Sequence, residues 1–81
     1  MATEGGYIIT KIGFVAGDIW QYLEKKSEGV FFKNICRDID EPRDHLLMSL
    51  GWLAREGHVI MQEAKVHARG PRDYKVVLRK K

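Results

Sequence analysis

Residues 46 to 61, LLMSLGWLAREGHVIM, change their hydrophobic period in mid-course, and no other feature of the chain constrains its fold as much. Up to Glu56 the spacing is helical: turning each residue by about 100° puts Leu46, Ser49, Leu50 and Leu53 on one side. After Gly57 the apolar residues alternate, which is the period of a strand. Gly57 stands where a left-handed residue closes a helix, and Arg55 in the last turn suits the helix dipole. A helix that feeds directly into a hairpin is therefore predicted.

Working outward, residues 59 to 68 and 74 to 79 read as two strands, with the turn residues Arg69-Gly70-Pro71-Arg72-Asp73 between them. On the other side, Pro42 suits a first helical turn, and Asp40 or Glu41 can accept hydrogen bonds from its free amides. Helix three thus covers residues 42 to 56. Residues 32 to 39 form a short second helix with Ile35, Cys36 and Ile39 inward, and Val30-Phe31 suits one rung added beside the hairpin. Farther upstream, Thr10 is predicted to cap a first helix running to Lys26, on the stripe Ile12, Val15, Ala16, Ile19, Trp20 and Leu23. Tyr7 to Ile9 reads as a short strand or arm, and residues 1 to 6 as a loose start. Gly13 and Gly17 each cost about 1 kcal/mol relative to alanine inside a helix, so a close neighbour is expected to compensate.

The order helix, rung, short helix, tight turn, longer helix, hairpin is an α+β architecture, a winged helix-turn-helix of three helices with a small antiparallel sheet. The segments AGDIWQYL and SLGWLAREGHV resemble those of a mostly uncharacterised family of short prokaryotic winged helix-turn-helix proteins, and the likeness covers nearly the whole chain. The resemblance implies DNA binding by analogy with better understood winged-helix regulators, in a transcription-related role. It also implies that the third helix enters the major groove while the wing touches phosphate or minor groove. One domain over residues 1 to 81 is expected.

Charge is polarised along the chain. Residues 1 to 64 carry 7 Lys/Arg against 10 Asp/Glu, whereas residues 65 to 81 carry 7 against 1. Lys65, His67, Arg69, Arg72, Lys75, Arg79, Lys80 and Lys81 lie on or after the hairpin, which supplies the positive charge and reach that phosphate contact needs. Basic hairpins also serve as soluble edges. Helix three is a poor reading head, because its outward side is Asp44, Met48, Gly51 and Arg55. Arg43, His45 and Lys33 are the side chains placed to reach DNA around its start, close to the acids Asp38, Asp40, Glu41 and Asp44. The predicted DNA-binding set is therefore Lys33, Arg43, His45, Lys65, Arg69, Arg72, Lys75 and Arg79.

An alternative class is an interaction module. Leu47, Met48, Gly51 and Trp52 form an apolar flank of helix three that suits a homodimer or another protein partner, unless Trp52 only covers the hairpin base or helix two and is simply half-buried. Chemistry of other kinds has little support. Cys36 lies among inward apolar positions, and His45, His58 and His67 lack metal-ligand spacing. No nucleophile elbow or phosphate-cradling glycine loop is present. No enzyme, metal, cofactor or small-molecule substrate is expected. The sequence has no long apolar run or secretory signal, and its single cysteine agrees with a reducing compartment, so a cytoplasmic location is expected.

Overall fold

The computed structural model describes residues 3–26, 28–65 and 72–79; of residues 3–7, 65 and 72 it describes the backbone alone. The elements are α1 (Thr3–Glu24), β1 (Val30–Phe31), α2 (Phe32–Asp38), α3 (Arg43–Arg55), β2 (Val59–Lys65) and β3 (Arg72–Leu78). The sheet is antiparallel in the order β1-β3-β2. The two-residue β1 adds its rung to β3 through Val30↔Val76 and Phe31↔Lys75, as the sequence predicts. Three helices and a three-stranded sheet in this order make the α+β winged helix-turn-helix.

The core lies where the helical stripes meet the inner sheet face. Val15, Ala16, Ile19 and Leu23 of α1, Phe32 and Ile35 of α2, Leu46, Leu50 and Leu53 of α3, and Val59 and Val76 are all buried. Each large side chain fully withdrawn from water contributes about 1.5–3 kcal/mol. Ser49, also buried, satisfies its hydroxyl by donating to the carbonyls of His45 at 2.8 Å and Ile12 at 3.2 Å, which ties α3 to α1. Gly57 has φ +82°, and the amide of His58 returns to the carbonyl of Leu53 at 2.8 Å. The helix-to-strand junction predicted from the period change is thus a glycine-closed helix end.

Several expectations are corrected. The first helix starts at Thr3, so Thr10 lies inside it, Tyr7 to Ile9 is helical, and residues 3–6 are ordered into its first turns. Three β-branched or aromatic residues without a strand to pair with do not interrupt a helix anchored downstream by Ile12, Val15 and Ile19. The start of α3 has no side-chain cap from Asp40 or Glu41; Pro42 occupies the cap position, and Glu41 is drawn to Lys11 at 3.3 Å instead. A Cβ built at Gly13 or Gly17 meets nothing within 4 Å, so no neighbour among the described residues compensates those glycines. The first hairpin strand starts at Val59 as predicted and is described as far as Lys65; residues 66–71 lie outside the described residues, and Arg72 and Asp73, assigned to the loop, belong to β3.

Candidate nucleic-acid interface

The start of α2 meets strand β3, and Arg43 at the start of α3 reaches over the same place. α2 begins directly after its rung with Phe31 as its cap residue, which offers no side-chain acceptor to the first-turn amides. Asp73 supplies one from β3: its carboxylate accepts the amide of Lys33 at 3.3 Å and that of Tyr74 at 2.8 Å, and the residue is only 7% exposed. Phe32 is buried beneath this junction, edge-on to Tyr74 with ring centroids 6.2 Å apart. Above its face lies the guanidinium of Arg43, 5.2 Å from the ring centroid.

Of the four acids predicted to repel a phosphate here, Asp38 and Glu41 are engaged. Asp38 accepts the hydroxyl of Tyr22 and the guanidinium of its neighbour Arg37, the latter at 2.9 Å. These two bonds hold the Asp38 carboxyl down at about 2, and the Tyr22 hydroxyl is pushed up to about 12 by burial and by the same carboxylate. Glu41 pairs with Lys11, and Asp73 is taken by backbone amides. Asp40 and Asp44 are exposed.

The cations divide differently. Lys33, Arg43, Lys75 and Arg79 are exposed and join no ion pair among the described residues, whereas Lys11 and Arg37 are paired. Lys75 sits opposite Gln62 in the hairpin and beside Phe31 of the rung. Arg79 donates its amide to the carbonyl of His58 at 2.9 Å, and its guanidinium lies against Gly57. Lys65 and Arg72 face each other across the hairpin as Cα partners. Arg69, like His67, Lys80 and Lys81, lies outside the described residues.

His45 is half-buried, and its Nδ1 is sealed from solvent with no hydrogen-bond partner among the described residues. The rest of the residue is part-exposed at the start of α3.

The solvent side of α3 is as predicted: Asp44, Met48, Gly51 and Arg55 are exposed. Trp52 is 48% and Met48 41% exposed, while Leu47, assigned to the same apolar flank, packs against the core. The Trp52 ring approaches His58 at 6.3 Å, and His58 stacks obliquely on Trp20 at 4.6 Å. Cys36 is half-buried, and burial pushes its thiol up. Among the described residues no His, Cys, Asp and Glu group could hold a metal ion, and no helix is long and apolar enough to cross a membrane.

Sequence reasoning placed Asp73 in a turn and gave Phe32 no part in the site. The missing signal was the lack of Ser, Thr, Asp or Asn before α2, which means its first amides need an acceptor from elsewhere. No curated protein and no solved structure matches the chain significantly. Residues 8–69 match the family model described as winged helix-turn-helix domain (DUF2582), and with most of its length matched the chain belongs to that family.

Proposed function

We propose that the protein binds duplex DNA through its phosphate backbone, in a transcription-related role in the cytoplasm, with the wing and the starts of α2 and α3 supplying the contacts. The observation that carries this reading is the sorting of charge there. Lys33, Arg43 and Lys75 have no carboxylate partner among the described residues, nor has Arg79 at the far end of β3, while Asp38, Glu41 and Asp73 are engaged and Asp40 and Asp44 stay exposed. Positive groups left free beside neutralised acids give a surface the field a polyanion responds to. Base readout has little support, since the outward side of α3 offers Arg55 as its one long donor beside Asp44, Met48 and Gly51.

The test is a duplex titration at low and moderate salt. Engagement of about four phosphates gives a log-log salt slope of about −3.6, and Arg69→Ala/Arg72→Ala should flatten it. Undetectable binding at low salt, or binding indifferent to salt, sinks the proposal.

A second reading rests on a separate observation. Met48 and Trp52 leave large apolar surface in water on the outward flank of α3, which suits a protein partner or a second copy of the chain.

A further inference from the structure

We infer that Arg43 is a phosphodiester clamp whose guanidinium is held ready by the ring of Phe32, which makes Phe32 a positioning residue for nucleic-acid contact; this rests on the duplex-binding reading above. The guanidinium lies 5.2 Å from the centroid of a ring that is itself only 3% exposed. The ring is fixed in turn by Tyr74, edge-on at 6.2 Å, and by its position at the junction of β1 and α2. A guanidinium attracted to an aromatic face makes that contact through its charge and keeps N–H groups along its outer edge for a planar or bidentate acceptor.

No carboxylate among the described residues occupies that edge. Acids are nearby: Asp73 and Arg43 both act on the Cys36 thiol through their charge, yet Asp73 is turned to the amides of Lys33 and Tyr74. Glu41, two positions before Arg43, is held by Lys11. Asp44 is exposed beside it and opposes an incoming anion, so the clamp's strength has to come from geometry as well as charge. Lys33 is exposed on the adjoining α2 and adds a second positive centre near the same place. An oxygen pair of one phosphodiester fits this arrangement, with one fork from Arg43 and a point charge from Lys33.

A lysine supplies the same charge without the planar fork, and this separates the clamp from simple electrostatics. Duplex binding by wild type, Arg43→Lys, Arg43→Ala and Phe32→Leu is measured across a salt series, with urea midpoints as a check on folding. The clamp predicts that Arg43→Lys weakens binding about fivefold with the salt slope retained, and that Arg43→Ala weakens it further and reduces the slope by about 0.9. Phe32→Leu, which keeps every charge, should match Arg43→Lys in both respects. Arg43→Lys is exposed and leaves the core intact, so the result stands even if Phe32→Leu fails to fold. Wild-type affinity in Arg43→Lys overturns the clamp while leaving duplex binding in place. Failure of the wild type itself to bind overturns the duplex reading and the clamp together.

Discussion

The carboxylate of Asp73 caps the amide of Lys33 across 40 residues of sequence, so the start of a helix is finished by a strand. The bond joins α2 to β3 beside Phe32, the ring over which Arg43 lies. Asp73→Ala should destabilise the fold by about 1–2 kcal/mol, because it removes the acceptor and leaves a part-buried amide unsatisfied. Asp73→Asn keeps an oxygen in place and should recover most of the loss. Urea unfolding at constant m-value reads both, and an Asp73→Ala midpoint equal to wild type would show that the cap contributes nothing.

Glycine replacements should change sign with position. Gly29 has φ +85°, and a Cβ there would stand 2.9 Å from the carbonyl oxygen of Val76 and 2.8 Å from a methyl of Val77. Gly29→Ala therefore combines left-handed strain of about 1–2 kcal/mol with a clash against backbone. Gly57→Ala, at φ +82° but in looser surroundings, should carry the strain alone. Gly13→Ala and Gly17→Ala meet open space on an exposed helix side and should stabilise by about 0.5–1 kcal/mol each. Thermal midpoints that fall for Gly13→Ala would mean that the exposed side of α1 is covered in solution.

The clasp from Tyr22 to Asp38 and Arg37 should leave a mark at both ends of the pH scale. The Asp38 carboxyl is depressed to about 2 in the folded chain, so its contribution is present above about 4 and is lost as the pH falls toward 2. The Tyr22 hydroxyl is raised to about 12, so its contribution is intact below about 10 and is lost as the pH rises through 12. Tyr22→Phe removes the hydroxyl that both shifts share. Its alkaline limb should flatten, while its acid limb shrinks only in part because Arg37 still holds Asp38; an alkaline limb parallel to that of wild type would show that the clasp does not form.

What the sequence made legible was local. The period change at Gly57, the stripes of α1 and α3 and the rung at Val30-Phe31 are short-range patterns, and each is present. What it hid depends on partners distant in the chain. Asp73 resembles a turn residue because Asp usually is one there, and only the uncapped start of α2, 40 positions away, explains its burial. Glu41 resembles a helix cap until Lys11 is brought alongside by the docking of α1 on α3. The candidate site shows the same division. The excess of positive charge on the hairpin was legible from charge counting, whereas the place of Arg43 over Phe32 follows from tertiary packing. The inward turn of His45 could have been suspected from its place one residue before Leu46 and four before the core-facing Ser49.

Trp52 separates the two functional readings most directly. Its ring is 48% exposed and its nearest aromatic neighbour is His58, 6.3 Å away, so it is neither a core residue nor free of contacts. If the Met48/Trp52 flank is where a second copy docks, the exposed half of the indole becomes an interface anchor. Removing an anchor of that kind costs at least about 2 kcal/mol of association, or roughly 30-fold in affinity. Trp52→Ala should then sediment as monomer at high micromolar concentrations where the wild type is dimeric, with only a modest change in its urea midpoint. If the flank only shields His58 and Trp20, both proteins sediment as monomers and the variant shows a small loss of stability instead. Monomeric wild type at every concentration would withdraw self-association.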